Sequence, residues 1–483
     1  MPSCTEAELK MSIKILLFGL LTLIFVGLGL SSKILADFNY LSLFFTGFFI
    51  LVMLSVSSVY VRVTGAVLLA FFYLRNLQLV GFPERFIYDR VAISPESLAY
   101  TSVILSCFCF AIASGAIVGT LLSENKKNVV ATNLLPFERF VTSPRMYIKI
   151  AILFYVGASL ALVFLRLTSG AGMPGLNNYL AETAGYLVVS LRVLQPLSVS
   201  IIVFYLASKA EIGKQSKIFK FGITACFLAA VFSFSKAGLL YFMMPVILYY
   251  LVNNMPIPRK ILRWGFYLFG FSVFIYGILM GAIRAQLSGS ITGTEGNHTI
   301  TFSEAISEGY LAFLDRLGSS FDVIHGILIN IDQFRQQTAD FGTQVAVSLN
   351  HFVPGEIIVT GGHTPLASIL PMILRGYSTE RIGGYGENVN TIGLLLSTVG
   401  VELGLLIVFL VSLAGAVIFY WLKSTVARVF LLITLITGLS NGGEIGSYME
   451  PLIFFLISHI LILMIWAFSS LSSHSRARGM VVS

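Results

Sequence analysis

Charge is what this sequence has least of. Only 11% of its 483 residues are Asp, Glu, Lys or Arg, whereas 56% are hydrophobic and the mean hydropathy is +0.88. A soluble domain carries about 25% charged side chains. A chain with less than half of that cannot cover a water-facing surface, which excludes a soluble enzyme, a disordered chain and a collagen-like fibre. Cysteine is scarce too. Of Cys4, Cys107, Cys109 and Cys226, three lie in apolar stretches and one in the N-terminal tail, so no disulfide framework is legible. Cys107 and Cys109 are two apart and point to different sides of a helix, which disfavours a metal site. Also missing are a phosphate-binding lysine loop, a dinucleotide glycine fingerprint after a strand, and a His-Glu-x-x-His helix. No repeat relates the halves, and the sequon Asn297-His298-Thr299 is too short a match to carry weight.

What is present is a succession of apolar runs near the 20 residues that a spanning helix needs. The expected fold class is an all-α polytopic membrane protein with about 12 transmembrane helices. The spans are expected at 13–32, 39–60, 63–82, 97–121, 148–167, 185–208, 218–235, 237–254, 264–284, 401–422, 426–440 and 451–470. The first run reads as a retained signal-anchor helix, because no small-residue cleavage site follows it. The net charge of +8 does not point to nucleic acid here. In a membrane chain it is the placement of cations that matters. Most basic residues, Lys126, Lys127, Arg139, Arg145 and Lys214 among them, fall on the side that also holds both termini, and most acids fall elsewhere. Both termini are therefore read as cytoplasmic.

Three regions follow: 1–284 with nine spans, 285–400 as one large outer loop, and 401–483 with three spans and a basic tail. A loop of that length is expected to be structured and functional. Its apolar pieces, Val345–Val359, Pro365–Leu374 and Ile392–Val399, are too short to cross and read as interfacial or re-entrant helices.

Basic residues recur at the outer ends of the spans. Arg166 ends the fifth, Arg192 sits about two turns into the sixth, Lys236 lies in the break after the seventh, and Arg284 closes the ninth. Arg316, Arg375 and Arg381 lie in the long loop. A cation near mid-bilayer costs about 2.5–3.5 kcal/mol on insertion scales, so such residues are functional candidates. The alternative is snorkelling to the interface, and Arg75 reads as an interface anchor of that kind. Converging cations at headgroup depth suit a lipid diphosphate, with Arg offering a bidentate fork and Lys a point charge. A site that faces away from cytoplasmic nucleotides must use a substrate already activated, such as a polyprenyl-diphosphate sugar, whose leaving group the cations would stabilise. Glycosyl transfer also wants a base. His363, in Gly361-Gly362-His363-Thr364-Pro365, and Glu387, in Gly383-Gly384-Tyr385-Gly386-Glu387-Asn388, are the candidates. Any one loop histidine is first read as structural, and Glu387 as a partner of the helix N-terminus that follows it.

The layout resembles the Wzy-type O-antigen or oligosaccharide repeat-unit polymerases, which belong with the O-antigen ligases. The matching pieces are Phe232 through Gly238, Arg284, Leu314-Asp315-Arg316, His351-Phe352-Val353-Pro354, and Asn390-Thr391-Ile392-Gly393 through Gly404. They span about Ala184 to Gly415. Two departures stand out. Gly355-Glu356 follows the mid-loop proline where the family often has a basic residue, and Tyr385-Gly386-Glu387 stands where related members carry a histidine. Either Glu387 takes the base role or the base lies elsewhere. The resemblance implies a GT-C-like helical bundle in the bacterial inner membrane with its active site facing the periplasm. It implies a metal-independent glycosyltransferase with no cofactor. Such an enzyme moves a growing glycan from undecaprenyl diphosphate onto a lipid-linked repeat unit. Arg166, Arg192, Lys236, Arg284, Arg316, Arg375 and Arg381 would bind diphosphate, and Glu387, His363 and Arg316 would be catalytic. The expected partners are undecaprenyl-diphosphate-linked glycans, the bilayer and a chain-length regulator. The alternatives are an O-antigen ligase and, less favoured, a polysaccharide transporter or flippase.

Overall fold

The computed structural model describes residues 35–81, 91, 93–123, 133–141, 143–168, 187, 190–212, 217–232, 236–272, 320–350, 366–375, 389–441 and 446–479. Helix dominates them. The chain runs through α1 (Leu35–Ser55) and α2 (Val59–Leu68), then a five-residue π turn (Leu69–Tyr73) into α3 (Leu74–Gly81). Next come α4 (Pro95–Leu122), α5 (Pro144–Thr168), α6 (Leu197–Ile212), α7 (Lys217–Phe232), α8 (Lys236–Val252) and α9 (Arg259–Ser272). The segment expected to form the outer loop contributes α10 (Ser320–Ile329), α11 (Ile331–Gln337), α12 (Phe341–Asn350), α13 (Leu366–Arg375) and α14 (Thr391–Thr398). The chain closes with α15 (Gly400–Trp421), α16 (Thr425–Asn441) and α17 (Gly446–Gly479).

Five described helical stretches are long and apolar enough to cross a membrane: Pro95–Leu122, Pro144–Leu165, Ser190–Ser208, Gly400–Trp421 and Pro451–Leu471. Each coincides with an expected span. Shorter apolar helices at Ser42–Ser55, Phe242–Val252 and Thr425–Ser440 overlap three more. With no water to satisfy a backbone in hydrocarbon, such runs must be helical. Large apolar side chains on their outer faces, such as Phe44, Leu153, Leu160, Phe164, Leu410 and Phe468, are exposed, as a lipid-facing surface requires. The chain is a helical membrane protein.

α4 is the axis of the bundle, with 72% of its apolar window buried against 28% for α5. Its start is well specified. Pro95 occupies the first helical position, and Ser94 and Ser97 bond each other's backbone N–H in a capping box. Its second half packs along α15 through small residues. On α15 the inward positions recur every fourth residue, Gly400, Gly404, Val408, Ser412 and Ala416. On α4 they meet Gly115 and Gly119. A Cβ on Gly115 would lie 2.3 Å from the Phe409 carbonyl oxygen, and one on Gly119 2.5 Å from that of Leu413. Glycine is thus required for the backbones to touch, which is how helices gain van der Waals energy in lipid. The Ser412 hydroxyl donates to the Ile112 carbonyl across the same seam at 2.7 Å.

At the end of the bundle where α4 and α15 finish, residues 133–135 run beside 422–426. Asn133 N–H donates to the Lys423 carbonyl at 3.2 Å, and Thr425 N–H donates to that of Asn133 at 3.0 Å. Beside this clasp the Arg428 Nε donates to the Leu422 carbonyl at 2.7 Å, and its guanidinium lies over the Phe419 ring.

Candidate functional site

At the opposite end, polar side chains are buried in a layer between α3, α4, α10 and α14. The π turn admits one residue more per turn than an α-helix, which shifts the inward face of the following helix. Leu74 is exposed while Arg75 and Asn76 are buried. Arg75 meets Asp322 of α10 through a two-pronged ion pair, Nε to Oδ1 at 3.2 Å and Nη2 to Oδ2 at 2.7 Å. Arg75 is 2% exposed and Asp322 0%. The expected interface anchor is therefore an interior cation, and its charge is balanced by an acid 247 residues away in the chain.

Two more bonds flank this pair. Ser102 Oγ donates to Asn76 Oδ1 at 2.7 Å. Thr101 Oγ lies 2.8 Å from His325 Nδ1 and donates its single proton to the Ser97 carbonyl at 3.0 Å. With that proton engaged, the hydroxyl oxygen is an acceptor for His325 Nδ1–H. The Phe321 ring stacks parallel to the imidazole, 8° between planes.

α10 is buried almost all round, from Ser320 through Ile327. Asn390 ties it to the next element. Its Oδ1 accepts from Gly393 N–H at 2.8 Å and so caps α14, while its Nδ2 donates to the Ser320 carbonyl at the start of α10, also at 2.8 Å. The Leu374 side chain of α13 fills the space beside Gly326. Gly400, between α14 and α15, adopts φ +84°, a left-handed conformation that glycine accepts without strain.

A second buried histidine lies deeper in the bundle. His459 Nδ1 lies 2.7 Å from the carbonyl of Phe455, four residues earlier in α17, and a carbonyl can only accept. Nδ1 therefore carries the proton, and Nε2 accepts from Ser200 of α6 at 2.6 Å. The distance would suit a nucleophile and its base. Both groups are nevertheless sealed by packing, and Phe455 covers the ring at 4.2 Å. The pair is a helix-to-helix tie.

Of the cations expected to bind diphosphate, Arg192 is described with its side chain. It is half-buried where the helix tightens through Val193–Pro196, with three-residue bonds such as Gln195 N–H to the Arg192 carbonyl. Arg166 lies in the last turn of α5, Lys236 opens α8 and Arg375 closes α13. Arg284, Arg316, His363, Arg381 and Glu387 lie outside the described residues. The arrangement that the structure does display, an ion pair with two flanking polar bonds, was not anticipated. Its signal was available: Asp322 and His325 interrupt the apolar run Phe321–Ile329, and an acid there implies a buried cation elsewhere.

The fold and this layer define a helical membrane protein whose late segment is fastened to the bundle by buried charge. No family model, no curated protein and no solved structure matches the chain.

Proposed function

We propose that the protein is a polysaccharide repeat-unit polymerase of the O-antigen type, with twelve spans, cytoplasmic termini and a reaction centre at the periplasmic face of the bacterial inner membrane. The observation that carries this reading is the Asn390–Ser320 hydrogen bond. Arg316 stands four residues before Ser320, and Glu387 stands three before Asn390. At about 3.3–3.6 Å per extended residue, covalent reach keeps each near 14 Å or less from that bond. On this reading an arginine that binds diphosphate and a base candidate, 71 positions apart in the chain, each lie a few residues in sequence from a partner of that bond. The buried Arg75–Asp322 pair holds that place against the bundle.

In this reading Lys236, Arg284 and Arg316 hold the diphosphate of the donor lipid. The acceptor hydroxyl attacks the donor's anomeric carbon, the bond to the diphosphate oxygen breaks, and the cations stabilise the charge left on the leaving group. Glu387, or His363, takes the hydroxyl proton. Alanine at Lys236, Arg284 or Arg316 should abolish long glycan chains on gels while membrane levels of the protein stay unchanged. Normal chain lengths from all three variants would refute the proposal. A deletion strain separates it from a ligase, because loss of a polymerase leaves lipid A core capped with one repeat and loss of a ligase leaves the core bare.

A further inference from the structure

α9 has an unusual surface for a helix of this bundle. Its sequence, Arg259 to Ser272, contains three cations and no acid. It touches α8, the Gly265 position lying against the end of Met243, and its half-buried positions Ile261, Gly265 and Leu268 form a thin stripe. At 100° per residue, Arg259, Lys260, Arg263, Phe266 and Tyr267 fall on the face away from that stripe, and all are exposed. Trp264 flanks them at 66% exposure, with its ring edge-on to Tyr267 at 6.4 Å between centroids. Cations in the first turns followed at once by tryptophan and tyrosine is the order met on passing from a charged membrane surface into its glycerol and upper acyl layer. No acidic side chain among the described residues pairs with Arg259, Lys260 or Arg263.

We propose that this half of α9 is a binding surface for acidic phospholipid headgroups. The three cations engage the lipid phosphates from snorkelling side chains, and Trp264 and Tyr267 seat the helix just beneath. The occupant is lipid rather than protein because the patch joins a one-signed charge to aromatic rings that face outward along the same helix.

The test uses the full-length protein with Trp421 and Trp466 replaced by phenylalanine, so that Trp264 is the remaining tryptophan of three. It is reconstituted into vesicles of phosphatidylcholine with a minority of phosphatidylglycerol, with shallow acyl bromines on one lipid or the other at equal mole fraction. Brominated phosphatidylglycerol should quench Trp264 several-fold more than its share of the bilayer predicts. The excess should fall with added salt, vanish in R259Q/K260Q/R263Q, and survive in R259K/R263K. Elution of each variant as native-sized protein controls for folding. Equal quenching by the two labelled lipids, an excess that persists in the triple glutamine variant, or no quenching because protein covers the patch would each overturn the proposal. The outcome does not depend on whether the chain polymerises glycans.

Discussion

The two halves of α4 are held by opposite means. Toward Gly119 it lies backbone to backbone on α15, with glycine giving the approach and van der Waals contact giving the energy. Toward Thr101 it meets α10, a helix of only ten residues, through the Thr101 hydroxyl beside an interior ion pair. In lipid the hydrophobic effect adds little between helices, since acyl chains are as apolar as leucine. A 22-residue helix can collect enough small contacts along its length. A ten-residue helix cannot, and here its position is fixed by charge. Burying two charges yields little net stability, but it makes every misplacement costly, because a displaced partner leaves an uncompensated ion.

The largest effect should therefore come from splitting the pair. Asp322→Ala takes the carboxylate away from the buried Arg75 guanidinium and should cost about 3–5 kcal/mol, read as a lower unfolding midpoint in detergent and less protein in the membrane. Asp322→Leu combined with Arg75→Met should recover most of that loss. A single variant as stable as the parent would mean that this end, like the other, is held by packing. Next comes Gly115→Ala. A methyl 2.3 Å from the Phe409 carbonyl oxygen cannot be absorbed by a side-chain rotation, so α4 and α15 must part. Overpacking of this kind costs about 1–3 kcal/mol, and the midpoint of Gly115→Ala should fall between those of the parent and Asp322→Ala.

The same contrast explains what could be read in advance. Long apolar runs announce themselves, so the helices of the seam were legible, as was helix at Pro365–Leu374 and Ile392–Val399. α10 was not, because a search for apolar runs discards the segment that Asp322 and His325 interrupt. Arg75 looked like an anchor because its sequence neighbours show nothing of an acid 247 positions away. Sequence locates isolated cations well, but whether one is solvated, lipid-facing or paired is settled by a partner that only the fold brings near. Cation counting at span ends and in the long loop consequently named seven residues and missed the pair that fastens the late segment.

Smaller effects sharpen the comparison at sites of neither type. Ser200→Ala removes the hydroxyl that His459 Nε2 accepts from, a single neutral bond between α6 and α17. Interhelical hydrogen bonds in membranes average about 0.6 kcal/mol, so its midpoint should drop by less than that of Gly115→Ala.

The smallest effect is confined to α12. Exposed Asp340 accepts from Thr343 N–H at 3.0 Å and from the Thr343 hydroxyl at 2.6 Å, and these bonds hold its carboxyl below the usual aspartate range. A carboxylate whose folded value is depressed stabilises the fold above its unfolded value, near 4, and that contribution disappears as pH falls through the folded value. Amide exchange across Phe341–Asn350, corrected for its intrinsic pH dependence, should thus quicken on acidification below about pH 4. Asp340→Asn, which cannot titrate, should flatten that step. The amides of α15 along the glycine seam should show no such step in either protein, since no carboxylate there caps the helix against α4. A step of equal size in both segments would show that acid loosens the whole bundle and that the cap is not a local device.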